Sequence, residues 1–460
     1  MEVHVRDPVH NFITLREKQV KLVGTRALQR LRGIHQLALA NLVYPGAVHT
    51  RFDHTVGVTH VAGLMAQALG LDADQVGLVQ HAALLHDIGH GPFSHVSEHV
   101  LERYADRTKL PANQKKEKIH EVITAHMIRT DTEIVRILGA DQCDQVARLL
   151  SEGHGRPALK SIVSGPLDAD KQDYLLRDSH FCGVEYGLFD IRQMHRSLVL
   201  VGSKDEEELM IDPDGIHAVE QFVLAKYFLT TNVYRHKVRL ITDQMIVRAI
   251  VLGIEKDENE QLRKLYHFAD PSCFVENYLA WDDARFMCTF GEAGKSSRCS
   301  DVLGRLRDRR LLKRVFVERP KAFPEEVRDT LTTISRRERD SLRRAIEKSI
   351  AEELASQTRQ TIDPDLVIVH AFDIKSVRET SRNEEEGILV DTSPVPKQFI
   401  DESTLFASIN EGYVDRFVEV YAPVAWDTAA DKKRIRRRSY EPIKNLIENH
   451  CKDSIKGATK

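Results

Sequence analysis

The chain is short of several things. Only six of its 460 residues are cysteine, at positions 143, 182, 273, 288, 299 and 451, with no CxxC pair and no paired spacing. That excludes a disulfide-built miniprotein and a thiolate zinc finger, and it reads as reduced thiols in a cytosolic protein. No apolar run approaches the ~20 residues that a membrane span takes. The opening MEVHVRDPVHNF lacks the apolar stretch of a secretory leader and the Arg/Ser-rich character of a transit peptide. Charge of one sign is not in excess: 66 basic residues face 69 acidic ones, so bulk attraction to nucleic acid has no support. No internal repeat or low-complexity tract is evident. The expectation is a globular cytoplasmic protein with no membrane partner.

Histidine, by contrast, is abundant. There are 21, and eleven of them fall at positions 35, 49, 54, 60, 81, 86, 90, 95, 99, 120 and 126. Around them the pattern is helical. DADQVGLVQHAALLHDIGHG offers Asp72 or Asp74 as a cap, then apolar residues at helical spacing, and Gly89, Gly91 and Pro92 as a stop just beyond His86 and Asp87. A second helix is expected to begin near Val56, and residues 217–254 read as one long, largely buried helix. The stretch 255–350 is highly charged but amphipathic, DVLGRLRDRRLLKRVF included. After about 360 the runs DLVIVHAFDI, GILVD, STLFASI and RFVEVYAPV are β-rich. The fold class expected is mainly α, with a helical core over residues 1–255, a charged helical extension over 256–355 and a small α+β C-terminal lobe over 356–460. The basic run at 432–438 reads as a solvated face of the last helix, with nucleic-acid or anion binding the minority alternative.

Three segments carry chemistry. HTRFDH (residues 49–54) and HDIGHGPFSH (86–95) bring imidazoles and carboxylates to helix ends, and DADKQDYLLRD (168–178) adds acids on another helix. His86 and Asp87 are adjacent at the end of an apolar helix, so one metal ion there could meet both. His54 can supply a third ligand and Asp170 a fourth. Tyr174 and Asp178, at i+4 and i+8, share the helix face of Asp170. Two imidazoles and two carboxylates form a mixed N/O site that suits a divalent metal ion, Mn²⁺, Fe²⁺ or Zn²⁺, with Mg²⁺ also compatible. Four protein ligands leave positions for water and a phosphate oxygen, as metal-assisted phosphoester hydrolysis requires.

These segments, in this order, resemble the HD-domain superfamily of metal-dependent phosphohydrolases. More closely they resemble its deoxynucleoside triphosphate triphosphohydrolases, the sterile-alpha-motif/HD enzymes of animals and their bacterial, dGTPase-like relatives. The likeness also runs through DPVHNFITL (7–15), LQRLRGIHQL (28–37), IHE (119–121) and VYRHK (233–237). It implies His54, His86, Asp87 and Asp170 as metal ligands, and water attack on the α-phosphorus of a nucleoside triphosphate to give deoxynucleoside and inorganic tripolyphosphate. It implies His95 as general acid toward the 5′-oxygen, oriented by Glu98, with His90 and His120 near the α-phosphate. Arg51, Lys171 and Lys226 would bind phosphate. Gln36 and Asp178 would read the 3′-hydroxyl, Tyr174 would crowd out a 2′-hydroxyl, and Leu37 and Tyr234 would line the sugar and base pocket. A homo-oligomer, dimer or tetramer, is implied as well, as are roles such as dNTP-pool control or antiviral defence. Gly24 stands where the animal enzymes carry a guanine-reading Asp, so GTP activation of that kind is not expected. The competing readings are an HD-type nuclease or phosphodiesterase acting on single-stranded nucleic acid or a cyclic nucleotide, and a catalytically idle nucleotide-sensing or nucleic-acid-binding module.

Overall fold

A computed structural model describes residues 2–151, 156–203, 206–292, 297–375, 387–393, 395–408 and 414–458. The strands are β1 (Glu2–Asp7), β2 (Asn11–Arg16), β3 (Leu198–Val201), β4 (Glu208–Ile211), β5 (Lys313–Glu318), β6 (Ile368–Lys375), β7 (Leu389–Val390), β8 (Lys397–Gln398) and β9 (Val414–Ala422). The helices that carry the site and its supports are α1 (Arg51–Ala68), α2 (Ala73–Leu85), α3 (His95–Tyr104), α4 (Ile119–Thr130), α5 (Ala169–Cys182), α6 (Ile216–Leu229), α7 (Lys237–Glu255), α8 (Arg298–Arg307), α9 (Asp340–Thr358) and α10 (Ala429–Ala458). The architecture is mainly helical, with small sheets. No helix among the described residues is long and apolar enough to cross a membrane.

Local chemistry sets the helix starts. Asp72 caps α2, accepting from the Gln75 amide at 2.9 Å, a bond that satisfies a donor the helix itself leaves unpaired. Thr50 and Asp53 form a reciprocal cap on α1. That cap starts the helix at Arg51, five residues before the expected Val56, and so puts His54 on its first turn. Asp168 caps α5 by accepting from the Lys171 amide at 2.7 Å, and Gly183, at φ +67°, ends it in the left-handed conformation. Helices α1, α2 and α5 pack through buried Val58, Val61, Ala62, Val79, Ala82, Ala83 and Leu175, part of one large core that reaches to Trp281 and Leu312.

The C-terminal part has its own apolar cluster, in which Val315, Phe316, Ile346, Ile350, Val418, Val420, Ile443 and Ile447 are buried together. Strand β9 lies between β5 and β6, antiparallel to both, with Ile368 opposite Tyr421 and Lys313 opposite Ala422. Helices α9 and α10 cover this sheet. The basic run at 432–438 lies on α10, where Lys433, Arg434, Arg437 and Arg438 are exposed.

Three expectations are corrected. The helix expected over 217–254 is broken: α6 ends at Leu229, a π-helical turn occupies Thr230–Tyr234, and α7 starts at Lys237, capped by His236. The hydroxyls of Thr230 and Thr231 bond back to the carbonyls of Lys226 and Tyr227, which competes with regular helical pairing. The run LLKRVF is not helical. Arg309 takes φ +54° just past α8, and alternating, β-branched KRVFVE then pairs with β9. Within STLFASI, whose last residue lies outside the described residues, Thr404–Ala407 forms a helical turn, because the Ser403 hydroxyl caps Phe406 at 3.1 Å and Phe406 packs on Phe399.

Candidate active site

The apolar end of α2 delivers His86 as its C-cap residue, and Asp87 follows it. The His86 Nδ1 donates to the Ala83 carbonyl at 2.7 Å, which leaves Nε2 as the lone-pair nitrogen. That nitrogen lies 3.2 Å from Asp87 Oδ1 and 3.8 Å from Asp170 Oδ1. His54 Nε2 is 2.9 Å from the same Asp170 oxygen and 3.8 Å from Asp87 Oδ2. Helices α1, α2 and α5 thus bring all four residues to one point. Ligand atoms of His54, His86 and Asp170 all lie within 4.8 Å of one another, so they could hold a metal ion.

The donor set fits a divalent cation electrostatically as well. Burial pushes Asp87 upward, but Arg51, His86 and His90 more than offset it and hold the carboxyl well below its usual range. Burial likewise opposes ionisation of Asp170, and His54 and His86 win there too. Burial disfavours charge on His54, yet Asp170 and Asp173 together push it up to about 10. Two ionised carboxylates in so enclosed a place call for positive charge beside them.

Beneath the four residues runs a supporting network that sequence reasoning missed. Asp173, one turn from Asp170 on the buried side of α5, lies 2.8 Å from His54 Nδ1 and 2.7 Å from His10 Nε2. Arg177 grips it with Nε and Nη2 at 2.9 and 3.0 Å and reaches Asp7 with Nη1 at 2.8 Å. A carboxylate behind a ligand histidine fixes its tautomer and ring orientation. The signal available was spacing, since Asp173 and Arg177 stand at i+3 and i+7 from Asp170.

Gly57 is the position on α1 that allows this approach. A Cβ there would fall inside 3.0 Å of Asp173 Oδ1 and Arg177 Nη2, both buried and ion-paired. Gly57→Ala is therefore expected to destabilise the fold by ~3 kcal/mol, the upper end of overpacking costs, and to weaken metal retention, both read by thermal melting with and without added metal.

The loop after Asp87 folds around a second group. His90 contacts Asp87 at 3.2 Å and Glu98 at 2.6 Å, and its ring stacks on His120 with centroids 4.3 Å apart. His95 Nδ1 lies 3.0 Å from Glu98, leaving Nε2 free at the cavity wall. Burial raises Glu98, but His95, His90 and His120 overcome it and keep the carboxyl well below the ordinary range. Phe93 and Ser94 both take positive φ, +62° and +59°, an arrangement that neighbours must hold in place. Asp283 does so by accepting from the Phe93 amide at 2.7 Å, with its other oxygen 2.9 Å from His35 Nδ1. Arg51 donates to the Ser94 hydroxyl at 2.5 Å and to Asp87 at 2.6 Å.

A cavity of about 480 Å³ opens from this point. Gln36, Leu37, Arg51, His86, Asp87, His90, His95, His120, Asp170, Lys171, Tyr174, Asp178 and Tyr234 all line it, while His54 and Glu98 sit behind its wall. Lys226, on α6, lies outside this lining. Lys171 is tied to Asp168 at 2.7 Å and to the Gly165 carbonyl at 2.9 Å. Further along, Tyr234 donates to Asp178 at 2.5 Å, and His49 Nε2 meets the other Asp178 oxygen at 2.8 Å. The Gln36 Oε1 is buried with no hydrogen-bond partner among the described residues.

Helices that gather two imidazoles and two carboxylates around one buried point make a candidate metal centre of the kind metal-assisted hydrolases use. Residues 51–178 match the family model of the HD domain and residues 189–411 that of the HD-associated region, and the chain belongs to the HD-domain phosphohydrolase superfamily. Among its relatives, a protein of Methanocaldococcus jannaschii is 33% identical over 287 residues, 60% of this chain and 56% of that one. The deoxynucleoside triphosphate triphosphohydrolase SAMHD1 of Homo sapiens is 30% identical over 278 residues, 54% of this chain and 44% of that one. The chain thus spans about half the length of the curated relatives it matches. A crystal structure of a hypothetical protein from Aquifex aeolicus superposes with a TM-score of 0.68 at 25% identity, covering 97% of this chain and 100% of that one.

Proposed function

We propose that the protein hydrolyses deoxynucleoside triphosphates at the α-phosphorus, releasing a deoxynucleoside and inorganic tripolyphosphate. One observation carries the reading: the gradient of chemistry along a single cavity. Metal-type ligands stand at one end, histidines and cations beside them, and two tyrosines with buried Asp178 and Gln36 beyond. That sequence matches phosphate, then sugar, then base. His54, His86, Asp87 and Asp170 would hold the divalent cation. When bound, it supplies a Lewis acid for the phosphoryl group and lowers the pKa of water.

The remaining steps fall to the chain's own groups. Arg51 keeps a buried, unpartnered Nη2 that could bind phosphate. Lys171 would exchange Asp168 for a phosphate oxygen. His95, oriented through Nδ1 by Glu98, would deliver a proton from Nε2 to the departing 5′-oxygen, an effect typically worth 10²–10⁴-fold. His90 and His120 flank the same carboxylate and would add positive charge near the α-phosphate. Gln36 and Asp178 supply acceptors for a 3′-hydroxyl, and Tyr174 beside Tyr234, centroids 6.3 Å apart, forms a wall that would leave a 2′-hydroxyl no room.

The basic run of α10 favours this over a nucleic-acid substrate. Its Lys432, Lys433, Arg436 and Arg437 line a separate groove against β5 and none of them lines the metal-end cavity. The activity for which the human relative is named supports the same choice. The test is incubation of pure protein with each dNTP, each NTP and a labelled single strand, in Mn²⁺, Fe²⁺, Zn²⁺ and Mg²⁺. Deoxynucleoside plus tripolyphosphate is the expected result. Shortened oligonucleotide would replace the reading with a nuclease, and unchanged substrates in every metal would sink both.

A further inference from the structure

Resting on that reading, we infer that Arg239 reads the nucleobase, and that the pocket prefers a base edge with two adjacent hydrogen-bond acceptors, guanine before all others. Arg239 lies on the first turn of α7, just past the π-helical turn, and lines the cavity. It is 8% exposed. Its Nε and Nη1 are buried without a hydrogen-bond partner, and among the described residues no hydrogen bond from its guanidinium is present. The Asp243 carboxylate, one turn on, stays 3.7 Å from Nε, too far for a hydrogen bond. A buried guanidinium left this way is short of acceptors, and folded proteins rarely leave such donors unmet.

Its place in the cavity says what would meet it. Asp170, Tyr174 and Asp178 climb α5 one turn at a time, so Asp178 stands about 12 Å from the metal end at 1.5 Å per residue. Tyr234 donates to Asp178, and the Arg239 guanidinium lies 5.1 Å from the centroid of the Tyr234 ring. Arg239 is therefore at the end remote from the phosphates, beyond the residues assigned to the sugar. Phosphate binding belongs to the opposite end, with Arg51 and Lys171. A planar fork of donors pairs with two acceptors side by side. Guanine offers O6 and N7, the commonest partner of Arg among bases, whereas adenine sets an amino donor beside N7 and is rejected. Cytosine, with O2 and N3, is second by the same criterion. Thymine separates its two carbonyls with an N–H donor.

The measurement is kcat/KM for dGTP, dCTP, dATP and dTTP on wild-type protein, Arg239→Gln and Arg239→Lys, with thermal melting of each. Wild type is expected to favour dGTP over dATP by about tenfold or more, the worth of one bidentate pair. Both variants should lose that ratio, since Lys keeps the charge and loses the fork. Should Arg239→Gln fail to fold, Arg239→Lys carries the test. Equal use of all four dNTPs by wild type, or a dGTP:dATP ratio unchanged in folded variants, would overturn the inference and leave the triphosphohydrolase reading standing. Failure to hydrolyse any dNTP would remove both.

Discussion

Asp87→Ala is expected to abolish hydrolysis, a loss of about a thousandfold or more, equivalent to ~4 kcal/mol at tenfold per 1.36 kcal/mol. Asp87 is 4% exposed and touches Arg51, His86 and His90 at once, so its removal would take away a proposed metal ligand and leave those groups without their shared carboxylate. Arg51 keeps its bond to Ser94, which limits the structural damage. His86→Ala makes a companion with less structural cost, because among the described residues the one hydrogen bond of its ring outside the candidate ligand set is the local one to Ala83. Metal content, circular dichroism and product formation should be measured on the same preparations. A folded, metal-poor Asp87→Ala protein with wild-type turnover would remove these residues from the active site.

Much of the centre could be read without coordinates because it is local. HTRFDH, HDIGHGPFSH and DADKQDYLLRD each place their chemistry within eleven consecutive residues at most, and helical period put Asp170, Tyr174 and Asp178 on one face. Asp72 was readable as a cap for the same reason. Groups that act across the fold were not. His49 meets Asp178 129 residues away, and Asp283 reaches back 190 residues to the Phe93 amide. Which helices lie against each other is decided by tertiary packing, and no spacing along the chain reports it. Hence the contact of His35 with Asp283, and that of His49 with Asp178 at the pocket wall, have no counterpart in spacing along the chain.

The secondary-structure misreadings have the same origin. LLKRVF satisfies a helical and a strand period over so short a run. The availability of β9 as a partner settles it as strand. The break between α6 and α7 is the more consequential one. A continuous helix would be straight through Tyr234, whereas the π-helical turn at Thr230–Tyr234 re-aims that residue onto Asp178 and brings Arg239 to the cavity. Such turns recur at functional sites. In the sequence of 217–254 the break is marked only by Thr-Thr-Asn at 230–232 and Arg-His-Lys at 235–237, short polar interruptions that a continuous helix would also tolerate.

Arg177→Leu should cost the most stability of any single change near the site, ~3–5 kcal/mol, because it leaves buried carboxylates without their counter-charge. Arg177 is fully buried and serves both Asp173 and Asp7, while Asp7 in turn caps the turn of the N-terminal hairpin by accepting from the Val9 and His10 amides. Burial raises Asp7 and Asp173, and Arg177 is the largest influence that reverses this, leaving both below the usual aspartate value. The pH dependence follows in sign. A carboxyl whose folded pKa is depressed stabilises the fold above its unfolded pKa, near 4, and that stabilisation is lost as pH falls through the folded value. In Arg177→Leu burial dominates, the folded values rise, and the variant should lose stability as pH climbs from 4. The melting-temperature gap between wild type and variant is therefore expected to widen between pH 4 and pH 7. A gap that stays constant across that range would mean the network does not hold its carboxylates through Arg177, and the anchoring of His54 by Asp173 would need another source.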